Sequence, residues 1–353
     1  MPNRYPEKEQ QVIGRNDDWY RGGVEAISSD TYRIPLPLPE SGLAAINVYA
    51  LVDDSGVVLI DSGADTSESR AALTAGLKTF GGTLQDIKQI LVTHLHYDHL
   101  SQAIALREEL NIPLALGIGE KEGVLDMVAA PVQMPQNLAV RLLSAGLGGE
   151  VTSLLDAGGP IEHGRWGSPD LWIEDAAQLA IGDQRNLLAL RTPGHTRGHV
   201  VFHEPATGLL FAGDHLLPAI TPSVEFEPVP ARFPLRDYLA SLDCTSEVAD
   251  SRVMPAHGAC GFASRQRVEE IQAHHRSRLE EIYQTVDGRT NVCALESARM
   301  LPWRSKRVPF DSLEGMDRLL AASETLAHLD VLVDQGRLTR RLIDNVWRFS
   351  AAA

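Results

Sequence analysis

Positive charge is scarce in this chain. Its 353 residues carry 32 Lys and Arg against 47 Asp and Glu, a formal net charge of −15. So acidic a chain repels phosphate backbones at long range, which disfavours nucleic acid as a partner. The one basic cluster that stands out, residues 337–341, holds three Arg. Cysteine is scarce too. Cys244, Cys260 and Cys293 are odd in number and far apart, which suits free thiols in a reducing cytoplasm better than a disulfide framework. No apolar run approaches the ~20 residues of a membrane helix. The opening Met1-Pro2-Asn3-Arg4-Tyr5-Pro6 lacks the apolar stretch of a signal peptide. A cytoplasmic protein with no membrane contact is the expectation. Repeats and low-complexity tracts are absent, and 44% hydrophobic with 22% charged residues describes an ordinary globular composition. The length leaves room for more than one domain.

What the chain does have is a dense run of potential metal ligands. Residues 93–99 read Thr-His-Leu-His-Tyr-Asp-His, placing His94, His96, Asp98 and His99 within six residues. His94 and His96 are two apart, so on an extended segment they point the same way. Asp98 follows on that face if the strand continues, and His99 breaks the pattern, so the chain must turn there. Three distant segments carry the same kind of residue. They are Pro193-Gly194-His195-Thr196, Phe211-Ala212-Gly213-Asp214-His215 and Pro255-Ala256-His257-Gly258. Each candidate sits beside Gly or Pro, and Asp214 and His257 directly follow short apolar segments; rigid scaffolds place chemistry at such sites. Imidazole and carboxylate ligands suit zinc, iron or similar ions.

Together with Val58-Leu59-Ile60-Asp61-Ser62-Gly63-Ala64 upstream, these motifs resemble the metallo-β-lactamase-fold hydrolases, over about residues 24–262. The resemblance implies an α/β fold, a four-layered αβ/βα sandwich with the metal site at one edge. It also implies a dinuclear site. His94, His96 and His195 would hold one ion, Asp98, His99 and His257 the second, and Asp214 would bridge them. Seven ligand groups do exceed what one tetrahedral ion uses. Two such ions can hold a bridging hydroxide at neutral pH and polarise a substrate oxygen. Zinc is the leading candidate, with iron or manganese as alternatives. Asp61 is expected behind the ligands, orienting a His through its free ring N–H. His199, His203, His215, His163, His274, His275 and His328 are assigned no part in binding, and Cys260 is read as a small buried side chain near the site.

Residues 1–22 read as a polar arm, 23–263 as the catalytic domain and 264–353 as a C-terminal unit. Strands are expected at 24–27, 31–34, 47–52, 56–60, 87–93, 171–173, 178–181 and 186–190, and helices at 67–80, 99–110 and 235–249. Residues 119–155 look like a helical insertion over the cleft, offering Met127, Met134, Leu142 and Leu143 as an apolar substrate wall. Tyr97 is a further candidate for substrate contact. Helices at 264–286 and 313–335, the second stopped by Gly336, precede two short strands turning at Asp344-Asn345. That order is similar to a winged-helix domain, expected here to pack on the catalytic domain or a partner subunit, such as a second copy.

The reading is hydrolysis of a small-molecule carboxylic ester, lactone or acyl thioester, with Asp98 or Asp214 handling the proton. Within the family resemblance, Asp214 argues against the β-lactamases that use a Cys there, and glyoxalase-II-like thioesterases, lactonases and the phosphodiesterases of the fold use the pattern found here. A nucleic-acid phosphodiesterase and a mononuclear-iron sulfur dioxygenase are the alternatives.

Overall fold

The structure, a computed structural model, describes residues 19–38, 43–129, 135–156, 165–182, 185–304 and 306–352. Two sheets form its centre. The first runs in chain order: β1 (Glu25–Ala26), β2 (Thr31–Pro37), β3 (Ala45–Asp53), β4 (Gly56–Ile60), β5 (Ile87–Val92), β6 (Leu114–Gly117) and β7 (Leu171–Ile173). It is antiparallel from β1 to β4 and parallel from β4 to β7. The second sheet runs β12-β11-β10-β9-β8, from β8 (Ala177–Ile181), β9 (Arg185–Arg191), β10 (Val200–Glu204), β11 (Leu209–Gly213) and β12 (Arg252–Pro255).

Side-chain alternation sorts the residues into layers. On β3, Tyr49 and Leu51 face the second sheet, where they meet Phe202 and Phe211. Val48 and Ala50 face the other way, against α1 (Ser67–Lys78) and α2 (Tyr97–Leu110). On β10, Val200 and Phe202 point between the sheets, while Val201 points outward to α6 (Pro234–Glu247) and α7 (Ser264–Val286). Helix, sheet, sheet, helix is the resulting order. This is the four-layered αβ/βα sandwich. Each large apolar side chain buried between the sheets contributes about 1.5–3 kcal/mol. No helix among the described residues is long and apolar enough to cross a membrane.

Three short helices fill the interruption between β6 and β7: α3 (Lys121–Ala129), α4 (Gln136–Ser144) and α5 (Gly148–Asp156). At the C-terminus α8 (Ala294–Arg299), β13 (Pro302–Trp303), β14 (Val308–Pro309) and α9 (Met316–Asp334) follow α7, and a hairpin of β15 (Leu338–Ile343) and β16 (Val346–Ala351) ends the described chain. The hairpin turns at Asp344 and Asn345, both with positive φ (50° and 63°), the pair a two-residue type I′ turn requires. The apolar side chains of these C-terminal elements do not form a core of their own. They share one buried cluster with Leu138 and Leu142 of α4, Val151 of α5, and Val201 and Leu210 of the second sheet.

Several expectations need correction. β5 stops at Val92 rather than 93 and α2 begins at Tyr97 rather than 99, so the turn falls earlier than expected and Asp98 and His99 lie in the first helical turn. β6 and α8 were not foreseen; at four and six residues they are too short to show a period. The second C-terminal helix starts at Met316 rather than 313, because Phe310–Ser312 makes a 3-10 turn and Gly315 takes φ 49°.

Candidate metal centre

Among the described residues, three groups of His and Asp have all their ligand atoms within 4.8 Å of one another: His94, His96 and His195; His94, His99 and Asp214; and Asp98, His99 and His257. They come from the end of β5, the first turn of α2, and the loops after β9, β11 and β12. These are the loops at one edge of the two sheets.

The outer ring nitrogens fix which atom of each His points inward. His195 Nδ1 donates to the Ser223 carbonyl (2.6 Å), and His257 Nδ1 to the Ala45 carbonyl (2.9 Å). His99 Nδ1 donates to Asp61 Oδ2 (2.9 Å). The Thr93 hydroxyl gives its one proton to Asp61, so it accepts from His94 Nδ1 at 3.0 Å. In their neutral forms those four rings therefore present a bare Nε2. His96 is reversed: its Nε2 donates to the Phe226 carbonyl (2.9 Å), leaving Nδ1 inward. His94 Nε2, His96 Nδ1 and His195 Nε2 lie 2.9, 3.2 and 3.0 Å apart. All three carry lone pairs, so these contacts cannot be hydrogen bonds. Nitrogens about 2.0–2.1 Å from one tetrahedral ion would stand about 3.3 Å apart, so an ion fits among them. Beside them, His99 Nε2, His257 Nε2 and Asp214 Oδ1 are buried with no hydrogen-bond partner. Orphaned polar atoms in that number are costly unless a cation joins them.

Asp214 stands between the groups. Its Oδ2 is 3.4 Å from His195 Nε2, and its Oδ1 is 3.4 Å from His257 Nε2 and 3.7 Å from His99 Nε2. Asp98 Oδ2 lies 3.4 Å from His257 Nε2. The protonation pattern divides the His in two. Burial pushes His94 well down, with neighbouring imidazoles adding to it, and takes His96 to about 3. His195 is lowered by burial although Asp214 opposes it. Burial would also depress His99, but the carboxylates of Asp61, Asp98 and Asp214 override it and raise the ring to about 10. His257 is raised in the same way by Asp214 and Asp98. Asp98 and Asp214 are held below the usual carboxylate range, since the surrounding imidazoles outweigh their burial.

Asp61 anchors this arrangement. It accepts the Thr93 backbone N–H (2.8 Å), the Thr93 hydroxyl and His99 Nδ1, and it takes φ 60° to do so. Asp61→Ala should leave the fold intact and weaken metal affinity roughly 10–100-fold, with Asp61→Asn closer to wild type. A chelator competition that finds Asp61→Ala unchanged would refute the role.

Other residues were not foreseen. His199 accepts the backbone N–H of Asp214 at 3.2 Å and contacts Thr192 Oγ at 2.8 Å, so it holds the ligand's main chain in place. Asn47 ties the His257 loop to β3 through the Pro255 and Gly258 carbonyls (3.0 and 2.9 Å). Residues 223–227 supply two of the five orienting acceptors. None of these contacts leaves a local pattern, since the partners are far apart in sequence. His203 and His215 bond Ser251 and Thr245, and His275 pairs with His328, all as packing residues. His163 lies outside the described residues. Cys260 makes its polar contact with Glu25.

Three of the four residues expected in the substrate wall are described. Leu142 is fully buried in the cluster shared with the C-terminal helices, Met127 is buried, and Leu143 is exposed; Met134 lies outside the described residues. Tyr97 is half-buried against the helix layer. Beside His257 lies a small cleft walled by Trp19, Leu43, Ala45, Leu217, Pro218 and Ile220. No Asp, Glu, Lys or Arg among the described residues lines it.

Comparison with known proteins agrees with this geometry. The family model of the Metallo-beta-lactamase superfamily matches residues 41–257. A probable metallo-hydrolase of Bacillus subtilis (strain 168), YqjP, is 25% identical over 321 residues, 88% of this chain and 95% of that one. The hydroxyacylglutathione hydrolase GloC of Haemophilus influenzae is 28% identical over 131 residues, 37% of this chain and 50% of that one. Among solved structures, a metallo-beta-lactamase family protein from Thermus thermophilus superposes with a TM-score of 0.70 at 29% identity, covering 92% of this chain and 100% of that one. A beta-lactamase domain protein from Burkholderia ambifaria gives 0.74 at 26% identity, covering 94% and 95%.

Proposed function

The chain belongs to the metallo-beta-lactamase superfamily as a metallo-hydrolase, and we propose on that footing that it holds two divalent ions, zinc first among the candidates, and cleaves a carboxylic ester, lactone or acyl thioester. The observation that carries the proposal is Asp214, whose two oxygens face different clusters. His94, His96 and His195 would hold one ion, Asp98, His99 and His257 the other, with Asp214 between. Two ions there would supply a water-derived nucleophile at neutral pH and polarise the substrate carbonyl.

The residues of the chain do the rest. The five outer acceptors lock the rings so that no ligand must reorganise during turnover. Asp98 and Asp214 stay ionised and border the same space, so either can hold the proton released on attack and return it to the leaving group. The cleft beside His257, which no Asp, Glu, Lys or Arg among the described residues lines, favours an apolar acyl or alkyl group. Relatives named hydroxyacylglutathione hydrolase support the thioester end of the range.

The test is elemental analysis of purified protein followed by a panel of esters, lactones, acyl thioesters, β-lactams and phosphodiesters. About two ions per chain and turnover of apolar acyl substrates is the expected result. A single iron, or a preference for phosphodiesters, would overturn it.

Protonation makes a separate prediction. In the metal-free protein near pH 7, His94, His96 and His195 are neutral, whereas His99 and His257 are shifted towards the charged form. The first ion should therefore bind with little proton release, and the second should displace protons. Because these raised groups hold their protons more firmly as pH falls, acidification should expel the second ion first. Calorimetric titration in buffers of different ionisation enthalpy reads this directly; equal proton release for both equivalents would contradict it.

A further inference from the structure

Residues 223–227 reach over the three-His cluster and bind two of its rings from behind, but what holds this loop lies farther out. At its middle, buried Glu225 takes φ 82°, a backbone conformation that a non-glycine residue adopts only when its surroundings enforce it. Its carboxylate accepts Nε–H of Arg141 on α4. Through Nη2 the same guanidinium reaches Asp330 Oδ2 on α9 at 2.6 Å. Asp330, fully buried, also accepts Arg340 Nη1 from β15 at 2.5 Å. Arg340 in turn lies 4.4 Å over the ring of Trp347 on β16. Charges of alternating sign thus run without a break from the terminal hairpin, through α9 and the inserted α4, to the loop whose carbonyls fix His96 and His195.

Packing alone does not ask for this. Apolar side chains of similar volume would join α4 to α9 as firmly, because a buried ion pair gives back in attraction roughly what it loses in desolvation. An ion pair differs in being directional: Arg141 is a planar fork that sets the angle of both partners at once.

We propose that the chain Arg340–Asp330–Arg141–Glu225 is a positioning device by which the C-terminal helix and hairpin set the orientation of His96 and His195. The proposal rests on the reading that His94, His96 and His195 hold an ion. None of the four residues touches that ion. They act through the Ser223 and Phe226 carbonyls, which choose the ring nitrogens facing inward.

The experiment uses the full chain, stripped of metal and titrated with Co²⁺, whose visible spectrum reports ligand geometry and whose affinity is read by chelator competition. Glu225→Gln keeps the shape of the side chain and removes the charge; Arg141→Gln breaks the link to α9; Arg340→Ala breaks it at the far end. Glu225→Gln should weaken the first Co²⁺ equivalent about tenfold, in the range expected for groups that orient ligands, and shift the spectrum. Arg340→Ala should act in the same direction and more weakly. Should Arg141→Gln fail to fold, Glu225→Gln and Arg340→Ala still decide. Thermal stability that falls while affinity stays within twofold and the spectrum is unchanged would overturn the positioning role and leave the metal site standing. A wild-type chain that takes up no Co²⁺ would overturn both.

Discussion

Asp214→Ala should abolish turnover while leaving a folded protein. The substitution removes the one carboxylate that faces both clusters. His99 and His257 then lose a counter-charge, and the second of the two proposed ions would lose a ligand. Since Lewis-acid stabilisation contributes several kcal/mol, and about 1.4 kcal/mol is a factor of ten, the loss should be roughly a thousandfold or more. The three-His cluster keeps its ligands, so metal content should fall towards one ion per chain and circular dichroism should stay native. Near-normal activity with two bound ions in Asp214→Ala would remove the bridging role from the proposal.

Gly194→Ala should fail at an earlier stage, in folding. Gly194 precedes His195 and takes φ 140°. A β-carbon there would lie 2.3 Å from the Tyr238 β-carbon, 2.5 Å from its α-carbon and 2.7 Å from its amide nitrogen. The last two are helix backbone, which cannot swing aside as a side-chain tip can. The turn is further docked on α6 through Ser241 Oγ, which donates to the Pro193 carbonyl at 2.8 Å. Backbone strain and steric collision together should cost about 4 kcal/mol or more. A melting temperature within a few degrees of wild type, with normal metal content, would show that the turn can relax.

Much of this was legible in the chain. The residue types in 93–99 and the three later Gly- or Pro-flanked segments already named the seven groups that the structure brings together, because a ligand's chemistry is written in its side chain. The strand ends that carry them could be read from apolar runs of four to six residues. What could not be read was anything decided by long-range contact. Thr93, His199 and Asn47 look ordinary in sequence, and their importance comes from partners such as Asp61, Asp214 and Pro255. The reversal of His96, binding through Nδ1, depends on a carbonyl 130 residues away. For 119–155 the period showed correctly that one face is apolar. It could not say what that face meets, and Leu142 meets the C-terminal helices.

The buried cluster shared by α4, α5, the second sheet and the C-terminal helices has a consequence for the order of events at the ribosome. Domains generally fold as units, the earlier-synthesised one first. Here the outward face of the second sheet, with Val201, Leu210 and Val253, packs in the same cluster as Leu326, Leu329 and Phe349. Those residues are made well after the last of the seven ligand residues, His257. Until they emerge, a nascent chain already holding all seven ligands carries an uncovered apolar flank.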